Sequence, residues 1–164
     1  MVNVNCTRCT GTTRAGDQCR RRTCRGNLCW THLKREKSLR VKTVPGMGLG
    51  LFTTRARFQG NLADVIILYT GEHLTGQQKR TLYPADEPQP QYLLCNNKET
   101  HRIDAKRVTS SFARFINRDE QNANVEFVRY SRGPPPHFTM RASKYIPAGA
   151  QMFANYGPEF YHLD

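Results

Sequence analysis

The stretch Ala113-Arg114-Phe115-Ile116-Asn117 is the most specific string in this chain of 164 residues, and the fold is deduced outward from it. Three other strings flank it: Pro45 to Phe52, which alternates Gly with apolar residues, Tyr69-Thr70-Gly71-Glu72, and Asn155-Tyr156-Gly157. The glycines lack side chains, so they permit tight turns and close approach of a ligand to the backbone. Together the four strings predict one domain that spans roughly residues 43 to 157.

Short apolar and β-branched runs, separated by Gly, Pro and polar turns, predict a mostly β domain built from small sheets. The predicted strands cover residues 39–44, 64–69, 92–95, 125–130 and 138–142. The only clear helical pattern covers residues 75–83 with Thr75 as its N-cap, and a shorter turn is expected near residues 110–115.

The formal net charge of +12 is distributed unevenly along the chain. Residues 1–42 hold eleven Lys and Arg against Asp17 and Glu36, a net of +9, so the remaining residues net only +3. Clustered positive charge favours polyanions such as DNA through counterion release, although a merely solvated face is the alternative. No stretch reaches the roughly 18 apolar residues of a membrane span, so we expect a soluble intracellular protein with no membrane partner.

The N-terminal segment also holds five of the six cysteines, which in a chain without an export signal suggests metal binding rather than disulfides. Three thiolates and one imidazole form a donor set suited to a closed tetrahedral zinc site. The predicted ligands are Cys9, Cys19, Cys29 and His32. Cys6 and Cys24 remain as alternative ligands, and a second interpretation pairs Cys6 with Cys9 as a Cys-x2-Cys motif.

The same spacing, with Thr13, Gly16 and Trp30 between the ligands, resembles a short zinc-binding module of viral and eukaryotic proteins. A segment of about forty residues cannot build a substantial core without a disulfide or a structural metal. Metal binding would therefore supply the folding energy of this module. We expect residues 1–38 to form the zinc module, and residues 39–164 to form the second domain.

The four strings of that second domain resemble, in order and spacing, those of SET-domain protein lysine methyltransferases. The resemblance implies a SET-like fold of small sheets with a threaded C-terminal segment. It also implies transfer of a methyl group from S-adenosylmethionine to a protein lysine. Histone is the leading substrate class, with a nuclear location and a nucleosome or DNA contact through residues 1–42.

The resemblance also implies roles for individual residues. Tyr156 matches the catalytic tyrosine, and Tyr92 resembles a tyrosine that lines both the cofactor and the lysine sites. The implied cofactor-binding residues are Met47, Gly48, Leu49, Tyr92, Arg114, Phe115, Asn117, Arg118 and Tyr156. The implied lysine channel is lined by Phe127, Ala154, Phe160 and Tyr161.

The chain departs from the family pattern after Asn117. The family continues Asn-His-Ser-Cys-x-Pro-Asn, whereas this chain continues Asn117 to Asn124 with one additional residue and without the His-Ser-Cys stretch. This departure puts the adenine pocket in doubt. It favours the alternative hypothesis of a catalytically inactive SET-like module that binds chromatin or nucleic acid through its basic zinc segment. Retention of Tyr156, Asn117 and the glycine turn favours the enzyme.

Overall fold

A computed structural model gives the fold, and it describes residues 6–60, 65–84, 92–95, 102–107, 109–129 and 138–156. Its strands are β1 (Thr7–Arg8), β2 (Arg22–Thr23), β3 (Leu39–Val44), β4 (Gly48–Thr53), β5 (Ile67–Tyr69), β6 (Glu72–Leu74), β7 (Leu93–Cys95), β8 (Arg102–Asp104), β9 (Asn117–Arg118), β10 (Val125–Arg129), β11 (Phe138–Ala142) and β12 (Phe153–Ala154). Its helices are α1 (Trp30–His32), which continues as a π-helical turn over Leu33–Lys37, α2 (Gly76–Leu82) and a 3-10 helix over Phe112–Phe115. Within these ranges, no helix combines the length and the apolar character needed to cross a membrane.

The predicted mostly β architecture of small sheets is confirmed. The largest sheet has the order β5-β11-β10-β12-β9, and three smaller sheets have the orders β1-β2, β3-β4 and β6-β8-β7. The short strand β12 lies between β10 and β9 and runs parallel to both, whereas β10 and β11 are antiparallel. The end of the described chain is therefore inserted into the middle of a sheet rather than added at its edge.

The predicted strands and the predicted helix are all found, although some of their ends differ. Strand β3 has the predicted bounds, as does β11, and α2 begins after Thr75, whose side chain accepts from the Gln78 N–H in a capping box. Strand β5 begins only at Ile67, and residue 64 lies outside the described residues, as does residue 130. The helical turn at residues 30–37 is not predicted from the sequence. The segment consists largely of metal ligands and basic residues, so apolar residues do not recur at the spacing of a helix.

One hydrophobic core crosses the boundary expected at residue 38. Its buried members from the N-terminal module are the three cysteines of the predicted metal site with Leu28 and Leu33, and they are continuous with Leu39, Leu51 and Phe112 of the second domain. The module and the domain therefore share one packed core. Because close-packed interiors transmit small changes in shape, a change in one part should affect the other.

Two contacts hold the N-terminal module against the 3-10 helix. The ring of Phe112 packs directly on the backbone of Gly26, where an added Cβ atom would lie 2.3 Å from the ring. The guanidinium of Arg114 donates from Nη2 to the carbonyl oxygen of Arg25 over 3.2 Å. Both contacts join the module to the same short helix.

Replacing Gly26 by Ala is expected to lower the free energy of unfolding by about 1–3 kcal/mol, because the new methyl group overpacks a buried ring. Phe112 is only 4% exposed, so it has little room to move away. Urea unfolding followed by circular dichroism measures the change.

Gly76→Ala is the matched control, since its Cβ atom would meet no atom closer than 3.4 Å and the position lies in the first turn of α2. We expect that variant to be as stable as the parent or more stable, because Ala favours a helix over Gly by about 1 kcal/mol. Equal stabilities for the parent and Gly26→Ala would contradict close packing at this interface.

Candidate active site and metal centre

Strand β12 brings the Asn155-Tyr156 end beside the Ile116-Asn117 end of the 3-10 helix. Phe153 pairs with Asn117 across the sheet, and Ala154 pairs with Arg118 on one side and with Val125 on the other. Two residues beyond β12, the hydroxyl of Tyr156 donates a hydrogen bond to the carbonyl oxygen of Ile116. Two strings that are forty residues apart in sequence thus meet at one hydroxyl group.

Phe127 contacts the ring of Tyr156, Tyr69 contacts Phe127, and Tyr92 is joined to Tyr69 by a hydrogen bond; we call these four residues the aromatic cluster. The ring centre of Phe127 lies 6.0 Å from that of Tyr156 and 5.9 Å from that of Tyr69. The Tyr69 hydroxyl donates to the carbonyl oxygen of Tyr92 over 2.8 Å, which fixes the position of the Tyr92 backbone. Tyr69 is buried, and Tyr92, Phe127 and Tyr156 are partly buried against the core, so the cluster is apolar apart from its hydroxyl groups.

Burial raises the pKa of two tyrosines of this cluster, Tyr69 and Tyr156. Burial is the main cause that raises the pKa of Tyr156 to about 12, and the nearby Tyr92 adds to it while Arg118 opposes it. The pKa of Tyr69 is also raised, mainly by burial and then by Tyr156. Near neutral pH the hydroxyl of Tyr156 is therefore a phenol, which can both donate and accept a hydrogen bond.

These shifts predict a late alkaline titration. Tyr69, Tyr83 and Tyr156 have raised pKa values, so in the folded chain these three tyrosines should ionise only above about pH 11. The folded state then binds more protons than the unfolded state from about pH 10 upward, so stability is full below pH 10 and falls as pH rises toward 12. Absorbance at the tyrosinate band measures the titration.

Tyr156→Phe should remove one tyrosine from this late-titrating group. A normal titration of all seven tyrosines in protein that is still folded would contradict the burial of the cluster.

Arg114 lies behind the cluster and is buried by backbone and rings. Its Nη1 donates to the carbonyl oxygens of Ala105, Lys106 and Arg107 at 2.6–3.0 Å. Its guanidinium carbon lies 5.4 Å from the ring centre of Tyr92 and 4.7 Å from that of Phe115. Burial lowers the pKa of this group, yet no carboxylate is among these partners. Carbonyl dipoles and ring faces compensate the charge of Arg114, so this side chain holds neighbouring backbone and rings in place. Contact of Arg114 or Phe115 with a cofactor stays a prediction.

Asn117, the last residue of the 113–117 string, has a side-chain N–H donor without a hydrogen-bond acceptor among the described residues. Its side-chain nitrogen, Nδ2, is buried and has no hydrogen-bond partner in the part of the chain that the structure describes. Buried polar atoms are nearly always paired, so this nitrogen could donate to a bound acceptor, and contact of Asn117 with a cofactor stays a prediction. An amide N–H suits a carboxylate, which the methionine part of S-adenosylmethionine would supply.

The glycine strand reaches the same region from the other side. Strand β4 packs against the 3-10 helix that leads to Asn117. Gly48 opens the strand with a φ of +75°, a conformation that favours glycine, and Met47 before it is 46% exposed. Leu49 is partly buried against the core, while a Cβ atom on Gly50 would lie 2.7 Å from the Gln151 side-chain nitrogen. Backbone contact of residues 47–49 with a cofactor remains a prediction.

The altered segment after Asn117 is ordered around the inserted strand. Arg118 forms an ion pair with Glu120 at 2.8 Å on the surface. The Asn124 side chain donates to the carbonyl oxygen of Gln151 and accepts the N–H of Phe153, both over 2.9 Å. Asn124 therefore holds β12 in register.

The predicted lysine channel is described only in part. Ala154 is fully buried in the centre of the sheet, and Phe127 lies beside Tyr156 in the aromatic cluster. Phe160 and Tyr161 lie outside the described residues. Tyr69 is not among the predicted site residues, yet it belongs to the aromatic cluster. Sequence gives no signal for this, because an aromatic residue in a buried strand has the same pattern whether it packs in the core or lines a site.

The four predicted metal ligands come together in the N-terminal module. The ligand atoms of Cys9, Cys19, Cys29 and His32 all lie within 4.8 Å of one another, and all four residues are buried. A tetrahedral zinc site has bonds of about 2.0–2.3 Å and therefore brings its ligands within about 4 Å of each other. Three sulfur atoms and one imidazole nitrogen are the donors that zinc prefers, so the cluster could hold this ion.

Neighbouring groups prepare the ligands for metal. His32 Nε2 lies 2.8 Å from the carbonyl oxygen of Thr12, which can only accept, so Nε2 carries the proton and Nδ1 faces the sulfurs of Cys9 and Cys29 at 3.4 and 3.3 Å. Burial alone would raise the pKa of Cys29, but hydrogen bonds, first of all from the backbone N–H of His32, lower it to about 6, whereas burial raises the pKa of Cys9. Gly11 is required beside the imidazole, because a Cβ atom there would lie 2.5 Å from the ring.

Cys6 and Cys24 are bonded to each other, which corrects the expectation that the clustered cysteines avoid disulfides. The reason is strand pairing: Thr7 lies opposite Thr23, so the residues that precede β1 and follow β2 are neighbours. Neither cysteine is among the four gathered ligands, so the alternative ligand sets are not the ones that form.

The comparison with protein families agrees with this geometry. The SET domain model matches residues 35–157, which include the glycine strand, the 3-10 helix and Tyr156. The chain therefore belongs to the SET domain family. Members of this family are mostly protein lysine methyltransferases that use S-adenosylmethionine.

Proposed function

We propose that this protein is an S-adenosylmethionine-dependent protein-lysine N-methyltransferase, with histones as the leading substrate class. One observation carries the proposal. The Tyr156 hydroxyl donates a hydrogen bond to the carbonyl oxygen of Ile116, and the next residue, Asn117, has a buried side-chain N–H without a partner among the described residues. A neutral phenol beside a carboxylate-binding amide is the arrangement that a methyl transfer to an amine needs.

The mechanism depends on orientation. When bound, S-adenosylmethionine supplies a methyl group on a positively charged sulfur. The hydroxyl of Tyr156 donates to Ile116, which aims the phenol oxygen, and that oxygen can accept an N–H from the lysine amine. An amine held in line can gain several kcal/mol of barrier reduction from position alone. The apolar walls disfavour the ammonium form, so they favour the unprotonated nucleophile.

The walls of the aromatic cluster also suit the methylated product. Rings such as Tyr92 and Phe127 can contact an alkylammonium through their faces, a contribution of about 0.5–2 kcal/mol. A further role for Phe160 and Tyr161 in covering the channel stays part of the proposal.

The same proposal assigns one zinc ion to the Cys9, Cys19, Cys29 and His32 cluster, where it would hold the N-terminal module together. The module carries most of the net charge, so it would anchor the enzyme on nucleosomal DNA, which agrees with a nuclear location. Support for this anchor is the charge of residues 1–42 alone.

The test is methyl transfer by the whole purified chain. The protein is incubated with isotopically labelled S-adenosylmethionine and with core histones, nucleosomes or albumin, and mass spectrometry locates any methylated lysine. Labelling of histone lysines well above albumin is the expected result. Cofactor binding without labelling of any of the three would favour the inactive chromatin-binding module, and labelling of all three alike would remove the histone preference.

Replacing Asn117 by Ala is expected to weaken S-adenosylmethionine binding about tenfold to a hundredfold, because a buried charge-assisted hydrogen bond contributes about 1.5–3 kcal/mol. Isothermal titration calorimetry measures the affinity. Asn122→Ala is the matched control, since Asn122 is an exposed amide in the following turn whose side chain donates to Asp119. Similar affinities for the Asn117 and Asn122 variants would show that Asn117 does not hold the cofactor.

A further inference from the structure

A groove of about 590 Å³ lies between the N-terminal module and strand β3, away from the aromatic cluster. Its floor is apolar and comes from both domains. The floor residues are Leu28, Leu33, Val41 and Phe112. Trp30, one of the groove residues, is 70% exposed, with the Arg21 guanidinium 5.3 Å from its ring. An apolar floor beside an exposed tryptophan is typical of a protein-binding surface.

The rim of the groove is positively charged. It carries Arg22, Arg25, Arg40 and Lys42, and no carboxylate lines the groove. In the part of the chain that the structure describes, none of these four cations forms an ion pair with a carboxylate. Arg22 donates to the backbone of Cys6, and the Lys42 ammonium lies 4.6 Å from the ring centre of Phe52. The rim thus lacks an acidic counterpart within the described chain.

One wall of the groove is the edge of a strand. Residues 40, 41 and 42 are consecutive in β3 and all line the groove, which is possible only where the groove runs along the strand edge. Strand β3 pairs with β4 in a two-stranded sheet, so its other edge has no strand partner among the described elements. Such an edge can accept an extended peptide as an additional strand.

We propose that this groove docks an extended acidic segment of a partner protein that carries bulky apolar side chains. The backbone of the segment adds to the edge of β3, its apolar side chains cover the floor, and its carboxylates meet Arg25 and Arg40 on the rim. Nucleic acid fits less well, because phosphates satisfy the rim but leave the apolar floor unfilled. A basic histone tail is repelled by the same rim, so this docking site is separate from the proposed lysine substrate site.

Fluorescence polarisation tests the proposal with the whole protein and a labelled peptide, Glu-Glu-Asp-Phe-Glu-Val-Asp-Glu. A second peptide with Ser in place of Phe and Val has the same charge, and a single-stranded DNA oligonucleotide of eight phosphates competes with either. We expect binding of the first peptide to be at least tenfold tighter than binding of the second. Equal affinities, or displacement by the oligonucleotide as effective as by unlabelled peptide, would overturn the proposal in favour of a general polyanion surface.

Charge reversal locates the site. Arg25→Glu with Arg40→Glu should weaken the first peptide at least tenfold, because two attractive contacts become repulsive. Arg20→Glu with Lys34→Glu changes the net charge equally at exposed positions outside the groove lining, so it should weaken the peptide less than threefold. Equal losses in the two double variants would contradict the proposal. Zinc content and melting temperature are compared first, so that only folded variants are used.

A second measurement needs no variant. Amide hydrogen exchange of the parent protein is expected to slow in residues 40–44 when the peptide is bound, because strand addition satisfies exposed N–H groups at that edge. Protection confined to other segments would overturn the strand-addition geometry. This outcome is independent of catalysis, so it stands or falls separately from methyl transfer.

Discussion

Replacing Tyr156 by Phe is expected to lower the rate of methyl transfer about a hundredfold or more, while S-adenosylmethionine affinity changes little. The variant keeps the ring that contacts Phe127 but loses the hydroxyl that donates to Ile116 and orients the amine. Removal of one positioned hydrogen-bonding group at a reacting centre costs about 10²–10³ in rate. Single-turnover methyl transfer to the best substrate of the histone assay measures the effect.

Tyr145→Phe provides the matched control, because it removes a phenol hydroxyl from an exposed ring whose centre lies 5.3 Å from that of Phe58. We expect that variant to retain the parent rate. Loss of the Tyr156 hydroxyl also leaves a carbonyl unpaired, at a cost of about 1–3 kcal/mol, so melting temperatures are needed to exclude unfolding. A folded Tyr156→Phe protein with more than half of the parent rate would remove Tyr156 from the mechanism.

Replacing Cys29 by Ser together with His32 by Ala is expected to abolish zinc binding and to lower the melting temperature by roughly 10 °C or more. Two of four ligands are then missing, and the cluster cannot close around the ion. The loss should also reach the SET domain, because Phe112 packs on Gly26 and Arg114 binds the carbonyl of Arg25. Elemental analysis and differential scanning calorimetry give the two readouts.

Cys6→Ser with Cys24→Ser also changes two residues of the same module, but it removes the disulfide and leaves the four gathered ligands intact. This control protein should retain one zinc per chain. Stoichiometric zinc in the Cys29 and His32 variant, with loss of zinc in the Cys6 and Cys24 variant, would reverse the assignment.

Local sequence patterns were enough for the elements whose signals are local. Thr75 with Gln78 marks the start of α2, since a capping box lies within four residues. The three cysteines and His32 were identifiable because zinc restricts both donor type and spacing. Strands β1, β9 and β12 could not be identified from the sequence, because each has only two residues and so shows no alternating pattern. Their strand conformation depends on the strands with which they pair.

The sequence by itself determined that the chain carries SET-type strings, a Cys3His ligand set and a strongly basic N-terminal segment. Only the tertiary structure decided that Cys6 bonds with Cys24, that Tyr69 joins Tyr92 and Phe127 around Tyr156, and that one core crosses residue 38. Motifs and charge depend only on the type and order of residues, so the linear sequence is enough to identify them. Ring contacts and core continuity depend on which distant residues the chain brings together, and a close-packed interior determines those neighbours through the shape of every side chain at once.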